Sequence, residues 1–177
     1  NELAMSYSGV ALLDFSLNQN LVRDFTKLKR IADDSTLVLL MTKYFQRMDI
    51  YNIKTILRAL ASGADKDSAK DLLVPIGVLS EEELDSLLGM AHVEDVLKSI
   101  PFIGYAELQG AYAKFKETGN LFELENSLSH TYYREILAFS AHLPVHGTLF
   151  RNFLEEEIDI MNLKIIIRLK REGLAGK

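Results

Sequence analysis

Two decapeptides hold the side chains of this chain whose types and spacing could do chemistry. Asp49 to Arg58 reads DIYNIKTILR, and Asp159 to Arg168 reads DIMNLKIIIR, 110 residues on, with Asp, Ile, Asn, Lys, Ile and Arg in the same places. On a helix, Asp49, Asn52, Ile53, Ile56 and Leu60 fall on one stripe, and Asp159, Asn162, Leu163 and Ile166 do the same. A carboxylate and a carboxamide beside aliphatic side chains need hydrogen-bond partners if buried. One reading makes them structural, bonded to the backbone or side chains of a crossing helix, with Lys54 or Arg58 of either decapeptide as candidate partners. The other is an ion or ligand site built from Asp and Asn. It requires two equivalent sites, which nothing else in the sequence supports. Asp49, Asn52, Lys54, Arg58, Asp159, Asn162, Lys164 and Arg168 are therefore expected to be structural signature residues, with no catalytic, cofactor-binding or metal role.

The remaining candidates are weaker. His142 and His146 have i, i+4 spacing, but Pro144 between them disfavours the helix that would aim both at one metal. His92 and His130 are isolated. Glu155, Glu156 and Glu157 form a run of carboxylates, yet neighbours on a helix point in different directions, so a solvated face is expected in place of an acid/base pair. There is no phosphate-binding P-loop and no dinucleotide glycine fingerprint. The sequence predicts no enzyme and no cofactor.

The elements that carry these residues read as helices throughout. Leu13, Leu17, Leu21, Phe25, Leu28 and Ile31 make an i, i+4 stripe of the kind an amphipathic helix buries. Asp34 and Ser35 offer an N-cap, and Leu37 to Ala61 reads as one long helix or two nearly continuous ones before Gly63. Asp65 caps a short helix that exits at Pro75 and Gly77. Ser80 with Glu83 is a capping box opening a helix to about Met90. Further helices are predicted over 93–99, from Tyr105 to Gly119, from near Leu121, and, after a pause at 143–147, from about Thr148 to Glu172.

The decapeptide match extends upstream. Leu13-Asp14-Phe15-Ser16-Leu17 pairs with Leu124-Glu125-Asn126-Ser127-Leu128, and Leu21-Val22-Arg23-Asp24 with Tyr132-Tyr133-Arg134-Glu135, at an offset of 111. The expected fold is all-α, with internally repeated helical domains: a first repeat over 1–62, an acidic short-helix insert and connecting helix over 63–123, and a second, truncated repeat over 124–177.

Composition bounds the rest. Apolar residues make up 48% and charged residues 25%, an ordinary globular balance. There is no Cys, which removes disulfides, thiolate catalysis and Cys-ligated zinc, and fits a reducing cytoplasm. No apolar run reaches the roughly 18 residues of a membrane span, and the first residues lack a signal-peptide pattern, so the chain reads as soluble. Residues 1–62 hold 8 basic and 6 acidic side chains, 63–123 hold 5 and 12, and 124–177 hold 7 and 7. The acidity of the insert speaks against nucleic acid or anionic lipid there. It leaves a solvated helical face, or an acidic docking surface for a basic partner.

DIYNIKTILR after a long apolar helix, the stretch Leu72-Leu73-Val74-Pro75-Ile76-Gly77-Val78-Leu79, the block LENSL with YYREIL, and EIDIMNLKIIIRLKREG strongly resemble the C-subunit family of the archaeal-type (A-type, also bacterial V-type) ATP synthase, to which the d subunit of the vacuolar ATPase is related. The similarity covers nearly the whole chain. That family is an all-helical cup or funnel of three similar helical domains, so the resemblance implies a fragment of roughly half. It also implies a non-catalytic rotor element on the cytoplasmic face of the membrane, linking the D and F subunits of the central stalk to the proteolipid ring (c/K subunits) of a proton- or sodium-translocating complex. No nucleic acid and no direct transmembrane segment are implied. Two positions depart from the family's pattern: Pro75 is followed by Ile76-Gly77 where two glycines are common, and Ser129 stands where an acidic residue is usual. Both bear on local packing.

Two other readings compete with the rotor adaptor. A generic α-helical repeat scaffold would explain the duplication but not the specific motif. A helical metal-dependent enzyme would use Asp49 and Asn52, or the histidines.

Overall fold

The computed structural model describes residues 10–31, 35–143 and 147–171, and every regular element among them is a helix. These are α1 (Val10–Ile31), α2 (Ser35–Ser62), α3 (Lys66–Lys70), α4 (Glu81–Gly89), α5 (Val93–Lys98), α6 (Tyr105–Thr118), α7 (Phe122–Ala141) and α8 (Gly147–Arg171). They fall into two compact units, 1–132 and 133–177, with α7 running through the boundary.

In the first unit α2 is the spine. Its 28 residues form one unbroken helix, about 42 Å long at the usual rise per residue. It ends where Gly63 adopts a left-handed φ of 66°, and the Ala64 amide donates back to the Ala59 carbonyl at 3.0 Å, satisfying an orphan carbonyl of the last turn. Ile53, Ile56 and Leu57 are completely buried on its inner face. Against α2 pack α3, α4 and α5, which bring Leu84, Leu87, Leu88, Val96 and Leu97 into the same core. Each such side chain contributes roughly 1.5–3 kcal/mol on burial. Leu108 of α6 and Leu124 and Leu128 of α7 are buried as well.

The short helices begin and end where local chemistry dictates. The Asp65 carboxylate accepts from the Ser68 amide at 3.0 Å. Ser80 and Glu83 form a reciprocal capping box, at 3.2 and 2.7 Å. Gly119, at φ 69°, closes α6 with its amide on the Phe115 carbonyl. The expected cap at Asp34 lies outside the described residues.

Helix α1 differs from its predicted burial. Phe25 is buried, but Leu17, Leu21 and Leu28 of the apolar stripe are exposed. The side chains of Leu13 and Ile31 lie outside the described residues. The contact runs instead through Val22 and Phe25 onto Met41, Phe45 and Met48 of α2 and onto Val74 and Ile76, with the Phe25 and Phe45 rings 4.0 Å apart at their centroids. One helix face and one short extended segment offer too little apolar surface to cover the whole leucine stripe.

The second unit holds the C-terminal half of α7 and α8. Ile136 and Leu154 are buried, and the Tyr133 hydroxyl reaches Met161 Sδ at 3.4 Å. Gly147 opens α8 so close to the Ser140 carbonyl that a Cβ there would collide with it.

Candidate functional site

The polar residues of the first decapeptide converge on one element, the irregular stretch 71–80 between α3 and α4. Asn52, completely buried, donates from Nδ2 to the Val74 carbonyl at 2.9 Å and accepts the Val74 amide on Oδ1 at 2.9 Å. One carboxamide thus treats one residue as a neighbouring strand would. Asp49, one turn earlier and equally buried, accepts the Val78 amide on Oδ2 at 2.7 Å and the Leu79 amide on Oδ1 at 3.2 Å. Two successive N–H groups aimed at one carboxylate form an anion-binding concavity. Between these anchors Pro75 removes one backbone donor, and Gly77 lies where a Cβ would fall within the Asp49 carboxylate.

Burial pushes the Asp49 carboxyl up to about 6, the Val78 and Leu79 amides act against that rise, and the Glu83 charge adds slightly to it. All the Asp49 and Asn52 oxygens meet backbone amides of the chain itself. The arrangement is a clamp on a loop, with both side chains buried.

Lys54 and Arg58 turn to α7. Lys54 Nζ donates to Ser129 Oγ. Burial lowers its ammonium, Arg58 adds to that, and Glu125 opposes it. Arg58 makes a two-pronged ion pair with Glu125, Nε and Nη2 each 2.6 Å from a carboxylate oxygen. That hydrogen-bonded pairing raises the guanidinium. The Tyr132 hydroxyl, bonded to the Tyr44 carbonyl at 2.8 Å, adds a third tie between α7 and α2.

The crossing helix named as a candidate partner therefore serves Lys54 and Arg58. Asp49 and Asn52 bind non-helical backbone instead, because only an extended segment presents a free carbonyl and free amides side by side.

The second decapeptide is placed differently. Asp159, Asn162 and Lys164 of α8 are exposed, and the Arg168 side chain lies outside the described residues.

Of the other candidates, His142 bonds the Ala138 carbonyl through Nδ1 at 2.8 Å, and His146 lies outside the described residues. Glu155 pairs with Arg151 at 2.8 Å within α8. Among the described residues no three His, Asp or Glu side chains are grouped to hold a metal. Sequence reading missed a surface cluster in which Glu94 accepts from the Tyr105 and Tyr112 hydroxyls at 3.0 and 3.4 Å and pairs with Lys98 at 2.8 Å. Glu94 and Lys98 are an i, i+4 pair on α5, but the tyrosines come from α6, so local spacing reveals only the ion pair. A groove of about 260 Å³ is lined by Tyr51, Thr55, Arg58, Asp65, Ser68 and Leu72 among others, and its carboxylate, Asp65, accepts the Ser68 amide as the cap of α3.

Curated proteins resemble the chain over nearly all of its length. The chain is 37% identical over 176 residues to the C subunit of the A-type ATP synthase of Haloquadratum walsbyi, covering 98% of the chain and 50% of that protein. It is 36% identical over 178 residues to the corresponding protein of Methanococcoides burtonii, covering 98% and 48%, and 31% identical over 174 residues to that of Archaeoglobus fulgidus, covering 97% and 48%. The chain thus spans about half the length of the curated relatives it matches. No solved structure matches it. The sequence profile of the ATP synthase (C/AC39) subunit family matches residues 1–177, from end to end, and the chain belongs to that family.

Proposed function

We propose that this chain is part of the C subunit of an A-type rotary ATP synthase, a non-catalytic rotor element that links the central stalk to the membrane proteolipid ring. The observation that carries the reading is similarity over 98% of the chain to proteins named as the C subunit of the A-type ATP synthase. Its partners on this reading are the D and F subunits of the central stalk and the c/K ring, and its place is peripheral, on the cytoplasmic face. No helix among the described residues is long and apolar enough to cross a membrane, which is compatible with a peripheral position.

The mechanics of the first unit suit such a task. A stiff body transmits torque with little twist, and the C-terminal half of α2 is held by buried aliphatics, the Asp49/Asn52 clamp and the ties to α7. The organisation proposed is two copies of a helical unit, over 1–62 and 124–177, separated by the acidic segment 63–123.

Co-purification tests this. The full-length protein, and then residues 1–177, are mixed with the two central-stalk subunits and with detergent-solubilised ring. One-to-one binding of the full-length protein to the stalk is the expected result. Failure to bind either partner overturns the adaptor reading in favour of a general helical scaffold.

A further inference from the structure

Three successive amides at the start of α4 are held by two carboxylates. Asp49 accepts the Val78 amide on Oδ2 at 2.7 Å and the Leu79 amide on Oδ1 at 3.2 Å, and Glu83 accepts the Ser80 amide at 2.7 Å. Ser80 is the N-cap of α4, so Leu79 stands just before the cap, its side chain buried like that of Leu84 in the first turns of the helix. The entry of α4 is thus fixed from α2 by Asp49 and from within the helix by Glu83. Asp49 is completely buried, whereas Glu81, Glu82 and Glu83, which follow the cap, are exposed.

We propose that Asp49 is a proton-operated latch on this helix entry. Ionised, it holds both amides. With a proton on Oδ1, the oxygen with the longer bond, it releases the Leu79 amide and keeps Val78, because an O–H facing an N–H sets donor against donor. The carboxyl, pushed up to about 6 chiefly by burial, changes state just below neutral pH. Among the described residues the charge that acts on it is Glu83 of α4, which opposes ionisation. The loop offers it amides, and α1 meets that loop through the apolar Val22 and Phe25. Proton uptake relieves the cost of a buried charge and at the same moment removes one acceptor from the entry of α4. The output is the placement of the exposed Glu81–Glu83 turn. The latch belongs to the first unit alone, so it stands or falls separately from binding to a stalk or ring.

The test is hydrogen exchange at single-residue resolution on the full-length protein, at pH about 5 and about 7.5, with rates corrected for the intrinsic effect of pH. The Leu79 amide is expected to lose protection about ten-fold or more at the lower pH, while Val78 and the fully buried Ile56 and Leu57 keep theirs. Asp49→Asn, whose carboxamide has a single acceptor oxygen, should hold Leu79 at the low level of protection at both pH values. Leu79 protection that does not respond to pH, equal loss at Val78 and Leu79, or a pH response that survives in Asp49→Asn overturns the proposal. Lost protection at Ile56 would mark a variant that has not folded, and the wild-type series then decides alone.

Discussion

The carboxylate of Asp49 stands in the space a side chain at Gly77 would need. The two positions are 28 residues apart, and neither is interpretable without the other. The aspartate can be buried because the backbone turns tightly enough to present the Val78 and Leu79 amides, and that turn is compatible only with glycine at its tightest point.

Gly77→Ala should therefore destabilise the chain by about 2 kcal/mol or more, since either the loop or Asp49 must move and a buried charge then loses its donors. Gly89→Ala is the control: no atom lies near its added Cβ, and its effect should stay within about 0.5 kcal/mol. Urea denaturation of both variants checks the contrast, and equal effects would contradict it.

Removing the carboxamide should be comparably costly. Asn52→Ala leaves the buried Val74 amide unpaired and the Val74 carbonyl with the Ile76 amide alone, for a loss of about 1–3 kcal/mol. Asn52→Asp retains an acceptor but loses the donor and buries a second charge beside Asp49, so at neutral pH it should be no better. Faster exchange of the Val74 amide in each variant would locate the damage.

Asp49 makes a pH prediction with an unusual sign. Its carboxyl rises from 3.8 to about 6 on folding, so between those values the folded chain holds a proton that the unfolded chain has released. Its contribution to stability is full below the lower value and falls as pH climbs through the upper one, by up to about 3 kcal/mol. Asp49→Asn lacks that component. Urea titrations at pH about 4 and about 7 should show the variant gaining on the wild type with rising pH. A difference that does not change with pH would refute the assignment.

The Arg58–Glu125 pair should matter less than its short distances suggest. The arginine side chain is 57% exposed, so water screens the attraction. Arg58→Ala is expected to cost only about 0.5–1 kcal/mol, and most of that difference should vanish at high salt in urea melts.

Much of this protein was legible in one dimension. Helical periodicity, the Ser80–Glu83 capping box and the glycines at 63 and 119 are local signals, because a cap or a left-handed turn acts on residues a few positions away. The doubled decapeptide marked Asp49 and Asn52 as residues with a shared task, and it identified the family by motif. What only the tertiary structure decided is what those residues hold. The carboxamide of Asn52 is satisfied 22 residues downstream, by a segment whose own sequence shows only a proline and a glycine. The contrast between buried Asn52 and exposed Asn162 is equally invisible in sequence, since like decapeptides carry like propensities. Burial depends on which surface arrives from elsewhere in the chain, and periodicity states which face of a helix is apolar without stating what covers it.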